Sequence, residues 1–402
     1  MPNRSSRLKI AVAAALAIPL APAAMPASAQ TAAAAVDYGA IARRVVTESA
    51  AVRPGEVVLI SGSVEERDLL EALQAEVLLA GGQPIVTVNF PRAERRAFTE
   101  VPLDYLRQEP RAQLALIQAA DVFISAGSIQ DPTLYADVPE ERVTISRQAS
   151  QPVTQALAAK RARSIDIGQT GGIPTEAYAR SQRADYAAMR DMFFRSLAVP
   201  TEVIAQRGAA VSRRMQPGQT VRLRSAGGTD LSFRLAAGRT RVSTGRAADN
   251  DSGTGMAAAF LPAGDFYACV DPASAAGTVV VPAYTFRGRE VRNLRLTFRG
   301  GALTGFTADE GADFVRAFFE QLDAPSKHMS LINIGLNPES RPLAGSSYLS
   351  WQMSGVPTVF LGNNDWAGCN HAAQAGLNFH LTGATLAVGG TEVVRNGELA
   401  LD

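Results

Sequence analysis

Cysteine and histidine are nearly absent from this chain of 402 residues: Cys269 and Cys369, then His328, His371 and His380, are the whole supply. That scarcity excludes zinc-finger arrays and disulfide-dense scaffolds, which need several such residues close together. Tryptophan occurs only twice. Neither charge dominates, with 39 Lys and Arg against 38 Asp and Glu, and no basic cluster interleaves with aromatics. A nucleic-acid-binding surface is therefore not expected. Beyond the N-terminal segment no apolar run reaches the roughly 18 residues that a membrane-crossing helix needs. The Gly62-Ser63 turn lacks a G-x-G-x-x-G context, which excludes a dinucleotide fingerprint. Ser128 and Ser346 lack the G-x-S-x-G elbow, and no 20–50-residue period marks a repeat protein.

What is present begins with an export signal. Arg4, Arg7 and Lys9 precede the apolar segment 10–24, and Ala27-Ser28-Ala29 supplies a small-x-small cleavage site before Gln30. This order predicts a secretory signal peptide over 1–29, and a periplasmic or secreted mature protein with no membrane span. There is no adjacent Arg-Arg pair, so general secretion is expected rather than the twin-arginine route.

From 37 to 200 the pattern alternates between helix and strand. Helices are expected at 37–51 and 64–79, and buried strands at 57–62, 84–88, 121–125 and 164–167. Continuous apolar strands separated by helices imply an α/β domain with a parallel sheet. The stretch 178–215 is expected to be largely helical and to bridge to a second domain, 201–402. There, strands near 221–224, 230–234, 277–282 and 293–298, with a helix at 312–322, read as mixed α+β.

Three segments hold the candidate chemistry. In Leu261-Pro262-Ala263-Gly264-Asp265 a turn presents one carboxylate, and Cys269 lies four residues on, on the same face of the following strand. In the second, His328 precedes an apolar strand and is read as capping the helix that ends near 322. The third runs from Leu361 to His380 and carries Asp365, Cys369, His371 and His380. Imidazole, thiolate and carboxylate suit a divalent metal, although the spacing matches no standard zinc pattern. Cys269 and Cys369, a hundred positions apart, are open to two uses, metal ligation or a disulfide. Asp249-Asn250-Asp251-Ser252-Gly253 lacks the twelfth-position Glu of a calcium loop and reads as a solvated turn.

Read together, several motifs resemble the thermophilic aminopeptidase T family of metallo-aminopeptidases, the leucyl aminopeptidase-like group. They are Arg53-Pro54-Gly55-Glu56, Ile173-Pro174-Thr175-Glu176, Gly228-Thr229-Asp230-Leu231-Ser232-Phe233, the Leu261–Asp265 turn and Gly277-Thr278-Val279-Val280. Further on stand Ile334-Gly335-Leu336-Asn337-Pro338, Leu361-Gly362-Asn363 and Gly376-x-Asn378-x-His380. The resemblance implies an aminopeptidase T-like two-domain architecture, usually a homodimer, with two divalent ions in the second domain. Such ions polarise the scissile carbonyl and generate hydroxide.

Carried over position by position, the family's ligands change. The first Glu falls on Asp265, the second on Leu331, one His on Thr358, the C-terminal His on His380, and the Asp after it on Thr382. A tyrosine after the Leu-Gly-Asn turn falls on Asp365. The resemblance thus implies an altered site, with a single zinc, cobalt or manganese ion on Asp265, His380, Asp365 and His371. Glu310 or Asp309 would be the general base. Since the family brings the two cysteine segments together, Cys269 and Cys369 either join the ligands or close a disulfide across the cleft. The expected function is an exported, metal-dependent aminopeptidase-like hydrolase acting on peptides or small amides. The alternatives are a non-haem iron, ring-cleaving dioxygenase of the same fold group, or a catalytically inactive protein that binds peptides or small molecules.

Overall fold

Short Val- and Ile-rich runs separated by helices form a parallel sheet, because such strands need cover on both faces. The computed structural model describes residues 36–401 apart from 132, 161, 169–170, 239, 250–256, 287–288 and 345. The expected signal peptide and most of the 249–253 turn lie outside the described residues. The first runs are β1 (Val57–Ser63), β2 (Gln83–Asn89), β3 (Val122–Ala126) and β4 (Arg163–Ile167). The next strands are β5 (Thr220–Arg224), β6 (Asp230–Arg234), β7 (Arg241–Ser243) and β8 (Ala258–Leu261). β8 returns to the first sheet and pairs in parallel with β4, completing the order β2-β1-β3-β4-β8. The helix Arg67–Leu79 buries Leu69, Leu70, Leu73 and Val77 at helical spacing, in one core with Val58 and Ile60 of β1.

The first expected helix is reshaped, and the bridging stretch is divided. The first runs over Tyr38–Arg44, with the Asp37 carboxylate accepting from the Ala40 N–H, and then loosens into a π-turn at Val45–Ser49. The bridging stretch is largely helical, as three helices: Glu176–Ser181, Tyr186–Leu197 and Thr201–Arg214. Arg183 is left-handed (φ 55), and Asp185 caps the second helix by accepting from the Ala188 N–H. Pro200 then restricts the residue before it to extended backbone, which ends that helix. No helix among the described residues is long and apolar enough to cross a membrane.

The remaining strands are β9 (Asp265–Cys269), β10 (Ala276–Phe286), β11 (Arg289–Arg299), β12 (Ala302–Thr307) and β13 (Met329–Gly335). They are followed by β14 (Pro357–Gly362), β15 (Gly376–His380), β16 (Thr385–Val388), β17 (Thr391–Arg395) and β18 (Glu398–Leu399). They build an eight-stranded sheet, β12-β11-β10-β6-β5-β16-β17-β18, and a five-stranded sheet, β15-β14-β13-β9-β7. One face of the five-stranded sheet carries Phe266, Ile332, Ile334, Val359 and Phe379, which share a core with Leu223, Val279 and Leu296 of the larger sheet. The strict alternation leaves the opposite face for other work. The chain is thus a parallel α/β region plus antiparallel sheets, as its sequence implies.

Candidate functional site

The opposite face of the five-stranded sheet is polar along one row. Register aligns Arg241 with Tyr267, Tyr267 with Asn333, Asn333 with Thr358 and Thr358 with His380. Beside this row Ser243 aligns with Asp265, and on its other side Cys269 aligns with Leu331 and Leu331 with Phe360. Strand alternation points all of these side chains the same way.

Asp265 is set by the turn before it. Gly264 has φ 122, and a Cβ there would lie 2.8 Å from the Asn337 Cβ and 2.9 Å from its nitrogen. Only glycine permits both this dihedral and this approach. Asn337 clamps the turn by donating from Nδ2 to the Ala263 carbonyl at 2.8 Å and to the Ser196 carbonyl at 3.0 Å. The two motifs read separately in the sequence, the Pro-Ala-Gly turn and Ile-Gly-Leu-Asn-Pro, are therefore one structural unit.

The Asp265 carboxyl accepts from Gln352 Nε2 at 3.4 Å. Burial pushes it up to about 7, opposed by hydrogen bonds from Gln352 and Ser243. At the far end of the row, His380 Nδ1 lies 2.7 Å from Thr358 Oγ1. Burial pulls this imidazole down to about 4, so near neutral pH it is uncharged. Between them sits Asn333, fully buried, with neither amide atom hydrogen-bonded; Gln352 Oε1 is also buried without a partner. Buried polar atoms are nearly always paired, so these mark a place where a polar guest or water belongs.

Aromatic rings roof this floor. Trp366 packs against Tyr267 at 5.7 Å, Phe360 at 6.0 Å and Trp351 at 6.1 Å, and Trp351 reaches His380 at 6.1 Å. Trp366 rides on the loop after β14 and is half exposed. Cys369, on the same loop, is joined to Cys269 of β9 by a disulfide, with Cα atoms 5.5 Å apart. That choice between the two cysteine readings removes both thiols from the possible metal ligands.

The other expected site residues are not brought to the floor as ligands. Asp365 is exposed at the start of a one-turn helix, where its N–H donates to Asn363 Oδ1 at 3.2 Å. The His371 ring nitrogen Nε2 is 2.9 Å from the Pro325 carbonyl, and its backbone N–H donates to Asn364 Oδ1. Glu310 is exposed and paired with Arg292 of the eight-stranded sheet at 3.3 Å, while Asp309 accepts from Asn293. His328 does not cap the helix ending at Gln321; its Nδ1 is 2.9 Å from the Pro272 carbonyl.

A divalent ion can be tested against these residues. Of the positions that the family resemblance assigns to ligands, Leu331 and Thr358 are buried in the floor, and Leu331 carries no donor atom. Among the described residues no three His, Cys, Asp or Glu side chains gather into a group able to hold a metal. The residues present do not fit a metal centre. What sequence reasoning missed is the rest of the floor and roof: Arg241, Tyr267, Asn333, Gln352 and Trp351. The available signal was Asn333, a polar residue in the middle of the apolar run Leu331–Ile334.

The sequence profile of a family described as "Thermophilic metalloprotease (M29)" matches residues 37–349. Among solved structures, wild-type AmpT from Thermus thermophilus is similar over 90% of this chain and 98% of its own, with TM-score 0.64 and 12% identity. The 2,5-dihydroxypyridine dioxygenase from Pseudomonas putida KT2440 is similar over 90% of this chain and 96% of its own, with TM-score 0.58 and 16% identity. Both are likenesses of fold. No curated protein matches the chain.

Proposed function

The chain belongs to the thermophilic metalloprotease family, and from that premise we propose an exported, aminopeptidase-like protein that binds peptides or small amides in this cleft without a metal centre. Membership supports metal-dependent, aminopeptidase-like hydrolysis as the chemistry of the scaffold. Function belongs to the site, however, and this site is altered. The observation that carries the reading is the absence, among the described residues, of any three-ligand cluster. Leu331, Thr358 and Thr382 stand where the resemblance calls for Glu, His and Asp. The altered site keeps an aromatic wall and buried, unpaired hydrogen-bonding groups, the elements that orient a small guest. Export is supported by the disulfide, which persists in oxidising compartments.

A second reading is favoured by membership together with Asp265 and His380, which occupy ligand positions of the resemblance. It is a hydrolase with one divalent ion, completed by Asp365 and His371. A ring-cleaving iron enzyme, the alternative that the resemblance implies, needs a metal as well and meets the same objection. Metal analysis of protein purified without chelator separates these. We expect substoichiometric zinc, manganese, cobalt and iron, and no release of amino acids from peptides. A stoichiometric metal that is lost in Asp265→Ala establishes the hydrolase reading instead, and bound iron with oxygen uptake establishes the dioxygenase.

A further inference from the structure

Resting on the binding reading, we infer that the cleft recognises the free carboxylate end of a peptide or N-acylated amino acid, through Arg241 and Asn333. An aminopeptidase fold is thereby turned from the amino end of a peptide to its acid end.

Arg241 opens the polar row at the edge strand β7 and is half-buried. Its guanidinium lies beside the Tyr267 phenol, across the aligned β7–β9 pair. No ion pair among the described residues includes it. It also lies under the disulfide-tethered loop: a Cβ on Gly368 (φ 73) would come within 3.0 Å of Arg241 Nη2. A guanidinium has five N–H donors in a fork that matches a carboxylate, and one contact to a phenol leaves most of them available.

The second observation is the unpartnered floor. Asn333 offers one donor group and one acceptor, both buried and unpaired, and Gln352 Oε1 adds a second unpaired acceptor. Leaving such groups unsatisfied is unfavourable, so the guest that suits them carries both an acceptor and an N–H. A carboxylate answers Arg241 and Asn333 Nδ2. An amide N–H one carbon away answers Asn333 Oδ1 or Gln352 Oε1. One strand separates Arg241 from Asn333, which puts their Cα atoms about 10 Å apart. A long arginine side chain and one glycyl unit span that distance. A peptide's amino end supplies a cation, which Arg241 repels.

Trp351 and Trp366, the only tryptophans in the chain, both roof this floor, so tryptophan emission excited beyond tyrosine absorption reads the site. The test titrates the full-length protein with N-benzoylglycine and, separately, with its neutral amide. The acid is expected to bind roughly ten- to a hundredfold tighter, the range of a charge-assisted hydrogen bond. In Arg241→Gln that ratio should fall to about one, with Arg241→Lys intermediate. A structural role for Arg241 would weaken acid and amide alike and leave the ratio unchanged. Equal affinity of acid and amide for the unaltered protein, or a ratio that survives Arg241→Gln, overturns the carboxylate inference and leaves peptide binding standing. Binding of neither ligand at about 1 mM overturns both the inference and the binding reading.

Discussion

At the scale of single residues, Asp265 and His380 are two buried ionisable groups shifted in opposite senses. The Asp265 carboxyl is raised from 3.8 to about 7, so between these values the folded state holds a proton that the unfolded chain releases. Its contribution to stability therefore falls as pH rises through this window. His380 is lowered from 6.5 to about 4, so there the unfolded chain binds the extra proton, and its contribution rises with pH. From pH 4 to 6.5 the two slopes oppose and largely cancel. Each is worth on the order of 3 kcal/mol, so removing one exposes the other. Urea unfolding of Asp265→Asn should show a gain over the unaltered protein that grows from pH 4 to pH 7. For His380→Gln the relative gain should instead grow as pH falls from 6.5 to 4. A gain in either variant that does not change with pH contradicts the shift assigned to that residue.

Residue identity was the most legible level of this sequence, and its use the least. Asp265, His380 and both cysteines could be picked out as chemically distinctive, and the sheet does place Asp265 and His380 on one face. Asp365 and His371 have the same chemistry, yet Asp365 hydrogen-bonds within its own loop and the His371 ring ties that loop to the Pro325 carbonyl. Ligand-type side chains in a short segment cannot be told from loop-stabilising ones until tertiary contacts are known. Arg241 is not legible in the sequence, and Asn333 shows only as a polar residue in a buried strand, because what sets them apart is the pairing they lack in the fold.

At the scale of elements, strands were easier to read than long helices. The period-two and continuous apolar runs placed β1 to β6 within a residue or so, because burial on a pleated sheet dictates that pattern. The stretch 178–215 reads as largely helical, but its apolar spacing persists across Arg183 and Pro200 and so does not mark the turns that divide it. The turn before β9 was read from Pro and Gly, but its partner Asn337, some seventy residues on, was not. Gly264→Ala tests that joint. It places a side chain at a left-handed position against Asn337, and should lower stability by about 1–3 kcal/mol in urea unfolding. Because Asp265 follows directly, ligand-induced tryptophan fluorescence should weaken too. Unchanged stability would show that the turn tolerates a different path and does not fix the carboxylate.

At the scale of the whole molecule, the disulfide and the proposed export are one argument. Cys269 and Cys369 are separated by 100 residues, and closing so long a loop restricts the unfolded chain strongly. Chain-entropy reasoning gives about 4–5 kcal/mol for a loop of that size. The enclosed segment includes β10 to β14 and most of the roof over the polar floor. The bond thus ties the outer loop to the strand that carries Asp265, and it forms only where thiols are oxidised. Protein recovered from the periplasm or medium should begin at Gln30, titrate no free thiol after denaturation, and unfold at the higher stability. The same chain without residues 1–29, retained in a reducing cytoplasm, should show two thiols and a loss of about 4 kcal/mol, matched by Cys269→Ser with Cys369→Ser. If the double variant is as stable as the oxidised protein, the bridge does not hold the roof in place. A full-length N-terminus on the recovered protein would separate the disulfide from export, and the scaffold would then have to be oxidised by another route.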